Sequence, residues 1–444
     1  MSQSASKSTS PSLETLVSLA KRRGFVFQAS EIYGGLSGFY DFGPYGTALA
    51  NNLKEAWLKY FVQSRPNVYG LDSAIIQHPK LWEASGHVAG FSDPLVECNN
   101  CHSRLREDKL ENKDKCPVCG QQGSFSKPRQ FNLMLSTQVG PAEDSSALTY
   151  LRPETAGGIY TNYENVRESM RAKLPFGIGQ VGKAFRNEIS PRDWLFRKRE
   201  LEQMELQYFV APKTEKPEYE TLRKATWRFL TDTIGLDEKK LRWHEHSHDE
   251  RAHYAAAAYD IEYKFPIGYD ELVGVHDRTD FDLKSHQEAS GKDLSYFDQA
   301  SGDKFIPYVM ESSMGLDRLF MAVLSDSYHE EEVKGEQRVV LRFKPELAPV
   351  QVAVLPLSKD AKLSPLAMKV YEDLKDHFAT EYDETQSIGK RYRRQDEIGT
   401  PYCVTIDFDS LEDKKATIRE RDTMKQQRFK VTDLAEVLSG KLES

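Results

Sequence analysis

The chain has 444 residues, of which 39% are hydrophobic and 29% are charged, and its formal net charge is −8. This length is enough for two or three domains that each bury a core, and the composition is typical of a soluble globular protein. No apolar run approaches the roughly 20 residues that span a bilayer, which excludes insertion into a membrane. The negative charge argues against a basic surface that coats nucleic acid regardless of sequence, although one local RNA-binding patch is compatible with it.

The N-terminal string MSQSASKSTSP predicts a disordered tail over residues 1–11. It contains no basic cluster that leads into an apolar segment and no small-residue cleavage site, so it lacks the pattern of a secretory signal. We therefore expect the protein to be cytoplasmic.

Four of the five cysteines form two Cys-x-x-Cys pairs with 14 residues between them, Cys98 with Cys101 and Cys116 with Cys119. Four thiolates satisfy tetrahedral Zn²⁺ and leave no open coordination position, which predicts a structural zinc site in an insertion over residues 96–125. His102 is a competing ligand that offers no better geometry. Four unligated thiols in a reducing compartment are the alternative, and the paired spacing at both ends favours the metal.

Residues 178–210 predict two strands joined by a charged loop. Side chains of the second strand alternate, with Met204, Leu206, Tyr208 and Val210 on one face and Arg199, Gln203, Glu205 and Gln207 on the other. Arg186 and Glu188 of the first strand share a face, so an antiparallel pair would present arginines and carboxylates above one pocket that suits a phosphate and an amine. A solvent-exposed sheet face with alternating charge is the alternative.

Two further segments predict helices that pack an apolar face onto a core. Residues 307–325 predict a strand that turns at Gly315 into a helix with Arg318 among its first residues. The apolar residues of that helix recur at helical spacing: Leu316, Leu319, Phe320, Val323 and Leu324. Within residues 38–62, Gly43 and Pro44 precede a helix that carries Leu49, Leu53 and Trp57.

The string KPELAP at residues 344–349 predicts a domain boundary. The residues after it predict a compact three-layer α/β domain, with a strand at 350–357, a helix at about 364–380 and a second strand at 402–408. Between that helix and the second strand, the basic stretch GKRYRR at residues 389–394 suits single-stranded RNA, because an aromatic residue interrupts the cationic ones. A solvated helix face is the alternative for this stretch.

The string FRNE at residues 185–188, followed by Arg199, resembles motif 2 of the class II aminoacyl-tRNA synthetases. Residues 307–325 resemble motif 3, and residues 38–62 resemble motif 1. With YLRPETAGGIY at 150–160 and GYDELVGVHDRTDFDLKSH at 268–286, the pattern resembles the glycyl-tRNA synthetases of the homodimeric class II type. The resemblance implies an α+β fold. An antiparallel-sheet catalytic domain with a zinc-knuckle insertion would cover residues 12–344, and an α/β anticodon-binding domain would cover 345–444.

The resemblance also implies an activity, which is the ATP-dependent attachment of glycine to tRNA(Gly) through a glycyl-adenylate. It implies Mg²⁺ with the ATP, structural Zn²⁺, and a homodimer formed through motif 1. The residues implied in catalysis and ATP binding are Arg186, Asn187, Glu188, Phe196, Arg197, Arg199, Leu201, Glu271, Leu272, Arg278, Gly315, Asp317 and Arg318. Those implied in glycine binding are Arg106, Glu154, Gln203, Glu205, Glu311 and Ser313.

By the same resemblance, Arg186 contacts the α-phosphate of ATP, Arg318 contacts the γ-phosphate and Glu188 accepts from the adenine amino group. Arg197 helps to hold the phosphates, and Glu271 coordinates Mg²⁺, which prefers oxygen ligands. Leu201 stands where family members more often carry an aromatic residue that stacks on adenine, and leucine offers an apolar contact without a π-face.

Several alternatives compete with this interpretation. A catalytically inactive accessory or nucleic-acid-binding subunit on the same scaffold would be expected to lose the ATP-binding arginines, which are intact here. A class II synthetase for proline, threonine or histidine is disfavoured by Glu154, Glu205 and Glu311-x-Ser313. These three carboxylates could also be read as a metal site, and Arg106 as a surface arginine. The histidines at positions 244, 246, 248 and 253 fit no closed metal site and stay unassigned.

Overall fold

The computed structural model describes residues 11–141, 147–247 and 256–442. His248 and His253, and the predicted tail apart from residue 11, lie outside these ranges. Among the described residues, no helix has both the length and the apolar character that a membrane crossing requires.

The first part of the chain forms short elements, one of which, Val68–Gly70, is an edge strand of the central sheet. In order they are α1 (Leu13–Arg22), β1 (Val26–Gln28), β2 (Tyr40–Phe42), α2 (Pro44–Leu58), β3 (Val68–Gly70), β4 (Ile76–Gln77), α3 (Pro79–Ala84), α4 (His87–Gly90), β5 (Ser92–Glu97), β6 (Arg104–Arg106), β7 (Arg129–Asn132), β8 (Ser136–Gln138), β9 (Leu148–Leu151), α5 (Ala156–Thr161) and α6 (Tyr163–Ser169). The sheet β6-β5-β7 carries one cysteine pair in each of its two connections.

Helix α2 begins as the sequence predicts. Pro44 occupies its first turn, where a missing N–H costs nothing and the fixed φ suits a helix. Its apolar stripe of Leu49, Leu53 and Trp57 is fully buried. A Cβ at Gly46 would lie 1.8 Å from the Phe25 carbonyl oxygen, so only glycine allows the helix to approach the preceding segment this closely.

The second part of the chain builds the central sheet and its covering helices. Its elements are β10 (Phe176–Phe185), β11 (Glu200–Val210), α7 (Glu215–Arg228), β12 (Leu241–Glu245), β13 (Ala257–Phe265), β14 (Gly268–Asp277), α8 (Phe281–Ser290), β15 (Tyr296–Phe297), β16 (Lys304–Phe305), β17 (Tyr308–Gly315), α9 (Leu316–Ser327), β18 (Tyr328–Val333) and β19 (Glu336–Leu341). Within the described ranges the sheet has seven strands in the order β12-β13-β14-β17-β11-β10-β3, antiparallel except where β3 meets β10.

The two faces of β11 differ as the alternation predicts, although Arg199 precedes the strand. Met204, Leu206 and Val210 are fully buried in the main core, together with the apolar side of α9. The opposite face is polar yet also buried, since Gln203 and Glu205 are 5% and 2% exposed. The alternative of a solvent-exposed sheet face is therefore wrong. The placement of Arg186 and Glu188 in the first strand is also wrong, because β10 ends at Phe185 and both residues lie in the loop that follows.

The C-terminal part forms the three-layer α/β unit that the sequence predicts. Its elements are β20 (Val352–Pro356), α10 (Leu363–Leu374), β21 (Thr380–Tyr382), α11 (Ile388–Ile398), β22 (Tyr402–Ile406), α12 (Asp409–Asp413), β23 (Lys415–Glu420), β24 (Gln426–Lys430) and α13 (Leu434–Leu442). Over residues 352–430, all described, the strand order is β21-β20-β22-β23-β24, with the first three parallel. Helices α10 and α13 pack on one face of this sheet and α11 packs on the other.

Two predicted boundaries in this unit are wrong. The helix predicted to reach residue 380 ends at Leu374, because the chain then forms the edge strand β21, which the sequence analysis missed. The strand predicted to end at residue 408 ends at Ile406.

The basic stretch 389–394 lies in α11, and part of it serves the interior. Arg391 is fully buried and donates to the carbonyl oxygens of Leu357 and Asp383, at 3.1 Å each. Arg394 lies 2.6 Å from an Asp383 carboxylate oxygen. For Arg391, both the RNA-binding interpretation and the solvated-face interpretation are therefore wrong.

A buried ion-pair network joins this unit to the preceding hairpin β18–β19. The Asp396 carboxylate of α11 accepts from Arg338 of β19 at 2.8 Å and from Arg419 of β23 at 2.9 Å. All three side chains are at most 5% exposed. Arg421 adds donations to the backbone carbonyl of Phe343 at 2.9 Å and to that of Gly399 at 2.8 Å.

Candidate active site

A cavity of about 330 Å³ lies on the polar face of the central sheet, where β11 and β17 meet the first turn of α9. Its wall unites predicted residues from the cysteine insertion, motif 2, the string at 268–286 and motif 3: Arg106, Arg186, Glu188, Phe196, Arg197, Leu201, Gln203, Glu271, Ser313, Gly315, Asp317 and Arg318. The wall is completed by Phe91, Asp93, Leu133, Leu195 and Lys198, none of which the sequence analysis singled out. The predicted residues outside the wall are Asn187, Arg199, Leu272, Arg278, Glu154, Glu205 and Glu311.

Strand register brings the glycine-site candidates together. Glu205 of β11 lies directly opposite Ser313 of β17, and Gln207 lies opposite Glu311. Directly paired residues of an antiparallel ladder point to the same face, so these polar side chains share the side of the sheet that bears the cavity.

Three arginines bring positive charge to the cavity. Arg186 donates through Nε to the Pro153 carbonyl at 3.1 Å, and its guanidinium lies 5.6 Å from the centre of the Phe91 ring. Arg197 lies 3.5 Å from a Glu188 carboxylate oxygen. Each of these side chains lies at the wall and keeps guanidinium N–H groups beyond those contacts, which suits it for phosphate oxygens.

Arg318 is the third arginine of the wall. Its NH1 is 3.0 Å from a Glu271 carboxylate oxygen, and its guanidinium stacks 4.3 Å over the Phe196 ring. The Glu271 side chain is 47% exposed, so its carboxylate is accessible to a cation. Leu201 adds an aliphatic wall, as the sequence leads us to expect, and the aromatic contribution comes from Phe196.

Four other predicted residues support the site, and of these Asp317 lines the wall while Arg199, Leu272 and Asn187 lie outside it. Arg199 donates to the Glu188 carbonyl at 2.8 and 3.0 Å and to the Ser37 carbonyl at 3.0 Å, so its guanidinium shapes the loop between β10 and β11. Asp317 is buried and accepts from Lys198 Nζ at 2.6 Å. Leu272 is 1% exposed and packs in the main core. The Asn187 backbone N–H donates to the Leu133 carbonyl at 2.8 Å.

Glu205 lies below the cavity wall, held by two of its members. Its Oε1 accepts from Gln203 Nε2 at 2.8 Å and from Ser313 Oγ at 2.9 Å. Its Oε2 has no hydrogen-bond partner among the described residues. Glu154 approaches from the segment before α5, with its carboxylate 3.5 Å from His87 Nε2. An unpartnered carboxylate oxygen beneath a polar cavity suits a ligand that donates N–H groups.

Glu311 is fully engaged by donors. Its carboxylate accepts from Gln207 at 2.8 Å, from Arg278 at 2.9 Å and from His276 at 2.8 Å. Arg278 is 4% exposed and also donates to both oxygens of Asp282. Arg278 therefore contacts the Glu311 carboxylate rather than the cavity.

The two neighbouring carboxyl groups differ in charge. Burial, together with the charges of Glu311 and Glu154, raises the pKa of Glu205 to about 8. Burial also acts to raise the pKa of Glu311, but Arg278 and His276 overcome it and lower that pKa to about 2. At neutral pH Glu311 is ionised, because cationic partners contact it. Glu205 is mostly protonated, because burial and neighbouring carboxylates disfavour its charged form.

The four predicted metal ligands converge. The sulfur atoms of Cys98, Cys101, Cys116 and Cys119 all lie within 4.8 Å of one another. Two of the S–S separations, Cys98 to Cys119 and Cys101 to Cys116, are 3.7 Å. A tetrahedron with metal–sulfur bonds of about 2.3 Å has edges of roughly 3.8 Å, so the cluster fits a metal such as zinc. The strand β6 within this module ends at Arg106, which reaches the cavity wall.

The chain matches two known protein families and several curated relatives. Residues 142–327 match the family "tRNA synthetase class II core domain (G, H, P, S and T)", and residues 351–441 match the family "Anticodon binding domain". The glycine–tRNA ligase of Treponema denticola is 53% identical over 95% of both chains. The chain belongs to the glycine–tRNA ligase family. Further family members are those of Clostridium acetobutylicum, 51% identical over 97% of this chain and 99% of its own, and Streptomyces coelicolor, 48% identical over 97% and 98%.

The sequence analysis did not predict three residues that contact acidic groups of the site, because their partners are distant in the chain. Lys198 carried a weak signal, a cation inside the motif 2 string, but its pairing with Asp317 depends on a contact across 119 positions. His276 stands in the quoted string at 268–286 and received no role. His87 lies in no quoted string, and only the fold brings it to Glu154.

Proposed function

We propose that the chain attaches glycine to tRNA(Gly) at this cavity in two steps. The glycine carboxylate attacks the α-phosphorus of ATP, which gives glycyl-adenylate and releases pyrophosphate. The 3′ hydroxyl of the terminal adenosine of the tRNA then takes the glycyl group and AMP leaves. The observation that carries this proposal is the juxtaposition of Arg186, Arg197 and Arg318 on the cavity wall with the Glu205–Ser313–Glu311 cluster beneath it.

The first step needs alignment and positive charge rather than a side-chain nucleophile. Negative charge develops on the phosphate oxygens, and guanidinium groups fixed around them stabilise it. We assign Arg186 to the α-phosphate, Arg318 to the γ-phosphate, and Arg197 to supporting contacts. Mg²⁺ bound with ATP supplies further charge neutralisation, and the accessible Glu271 carboxylate is the residue that would hold it.

The ammonium group of glycine is the natural donor for the open Oε2 of Glu205. Glu154 and Glu311 add negative charge around it, and Ser313 and Gln203 close the space that a side chain would enter. A closed pocket rejects larger amino acids by steric clash, and glycine has no smaller competitor, so no editing site is required.

Other parts of the chain have supporting roles in this proposal. The four-cysteine cluster holds structural Zn²⁺ and thereby fixes β6 and Arg106. A second cleft of about 620 Å³ shares Arg106 and Arg197 with the cavity and carries the cations Lys109, Lys115 and Arg192, which suits the 3′ end of a tRNA. Residues 12–344 form the catalytic domain and 345–444 bind the anticodon. Motif 1 forms a homodimer, and the protein acts in the cytoplasm.

ATP–pyrophosphate exchange with each of the twenty amino acids tests the activity directly. We expect exchange with glycine and with no other amino acid, followed by transfer to tRNA(Gly) when that RNA is added. Absence of exchange from folded protein would support the accessory-subunit alternative. Exchange with proline, threonine or histidine in place of glycine would support another class II specificity.

The raised pKa of Glu205 predicts a pH-dependent affinity for glycine. Below about pH 8 the carboxyl is protonated and must release its proton before it accepts from the ammonium group. The glycine KM should therefore fall as pH rises, by about fivefold between pH 7 and pH 8, because the ionised fraction grows by that factor. Exchange kinetics at fixed saturating ATP would measure it. Glu205→Gln should weaken glycine binding and flatten the profile, whereas a pH-independent KM in the unmodified enzyme would contradict the assignment.

A further inference from the structure

A row of charged side chains crosses the central sheet beside the Glu311 carboxylate. His276 of β14 lies opposite Glu311 of β17, and its Nδ1 is 2.8 Å from Glu311 Oε1. On its other side, His276 Nε2 lies 3.8 Å from Asp260 Oδ1 of β13. Asp260 Oδ2 in turn lies 2.7 Å from His246 Nε2. The His276 ring is thus held between two carboxylates that come from different strands.

Backbone geometry makes room for this ring. A Cβ at Gly274, two residues before His276 on the same face, would lie 2.9 Å from His276 Cε1 and 3.6 Å from Asp260 Oδ1. Only a residue without a side chain allows the imidazole to lie back over the strand toward Asp260. The glycine and the histidine therefore act as one structural unit.

Both ring nitrogens face acceptors. An ionised carboxylate accepts and does not donate, so contacts from Nδ1 to Glu311 and from Nε2 to Asp260 are both favourable only when each nitrogen carries a proton. Burial alone would lower the pKa of His276, but the two carboxylates raise it to about 9. The side chain is an imidazolium at neutral pH.

The three donors to Glu311 are divided unequally between its oxygens. Gln207 and Arg278 both donate to Oε2, whereas among the described residues the Oε1 atom receives its hydrogen bond from His276. Two donors on one oxygen fix its position but leave the carboxylate free to rotate about it. The contact from His276 fixes the second oxygen and hence the plane of the group.

We propose that His276 is a positioning residue of the amino-acid pocket, which orients the Glu311 carboxylate and so sets the affinity for the substrate ammonium group. This inference rests on the proposed function of the cavity. Asp260 holds the imidazolium from behind, and Gly274 provides its space. Neither His276 nor Asp260 lines the cavity wall. His276 acts through its contact with Glu311, which lies beneath the wall, and Asp260 acts through His276.

Steady-state ATP–pyrophosphate exchange on the full-length protein tests this role. For His276→Phe we expect the glycine KM to rise about tenfold or more, as when a hydrogen bond to a charged group is lost, with the ATP KM within about twofold. His276→Gln keeps an N–H donor and should recover much of the affinity. Asp260→Asn should raise the glycine KM by a smaller factor. His329→Gln is the matched control, because His329 is also a half-buried histidine and lies away from the site.

The outcomes separate this inference from the proposed function. A glycine KM within twofold of the unmodified value in His276→Phe would overturn the positioning role. A parallel rise of both KM values with a lowered melting temperature in all three site variants, and no rescue by glutamine, would also overturn it by indicating a structural role. Absence of exchange and of calorimetric glycine binding in the unmodified protein would instead overturn the proposed function, and this inference with it.

Discussion

Replacing Arg186 by alanine is expected to lower kcat/KM for glycine-dependent ATP–pyrophosphate exchange by roughly 1,000-fold, the scale of losing one charged group at a phosphoryl-transfer centre. The structure distinguishes Arg186 from the neighbouring Arg199. Arg186 donates through Nε to the Pro153 carbonyl and lies at the cavity wall, whereas Arg199 lies outside the wall and donates to the carbonyls of Glu188 and Ser37. We expect the loss to fall mainly on kcat, because charge on the α-phosphate grows toward the transition state.

Two companion variants sharpen this experiment. Arg186→Lys keeps the charge but not the planar fork, so an activity between those of the unmodified and alanine enzymes is expected. Arg242→Ala removes an exposed arginine on β12 and should leave exchange unchanged. If Arg186→Ala retained more than about a tenth of the activity with a normal melting temperature, the α-phosphate assignment would be wrong.

Replacing Cys116 by serine is expected to abolish stoichiometric zinc binding and to loosen the β6-β5-β7 module. Cys116 is fully buried, and its sulfur lies 3.7 Å from that of Cys101. A structural metal contributes folding free energy directly, so its loss should make residues 96–125 sensitive to protease. Arg106 ends β6 and reaches the cavity, so exchange activity should fall as well. Metal analysis by mass spectrometry and limited proteolysis would measure both effects.

The chain provides its own control for the metal prediction. Cys403 is buried in the C-terminal sheet, where burial raises the pKa of its thiol to about 12, and it lies far along the chain from the cluster. Cys403→Ser should change stability while the zinc content stays at about one per chain. Full zinc occupancy in Cys116→Ser would refute the four-thiolate site.

Local patterns in the sequence predicted those parts of the fold that depend on near neighbours. The alternation in β11 follows from the two-residue period of a strand, and the apolar spacing in α9 follows from the helical period. The cysteine spacing likewise predicted a cluster that the structure brings within metal-binding distance. Each of these features depends on residues that lie within one short stretch of the chain.

The uses of charged residues could not be predicted in this way, because partners distant in sequence decide them. Arg391 reads as a surface cation, yet carbonyl groups from the β20 and β21 segments enclose it. Arg278 was predicted to act in catalysis and ATP binding, yet its guanidinium donates to Asp282 and Glu311. The helix α10 ends early because β21 adds to the edge of a sheet whose other strands lie elsewhere in the sequence.

The buried ion-pair network around Asp396 joins the C-terminal α/β unit to the hairpin β18–β19, so this unit cannot be exchanged freely for that of a relative. A fragment that ends at residue 344 retains Arg338 but loses both the Asp396 carboxylate and the Arg421 carbonyl that accept from it. The fragment keeps Glu331 as a partner of Arg338. In a full-length chain, a C-terminal domain without the Asp396 carboxylate would break a buried ion pair, which costs about 3–5 kcal/mol. Exchange of C-terminal domains between relatives would therefore succeed only where donor and recipient match at this joint, so the two parts are constrained to evolve together.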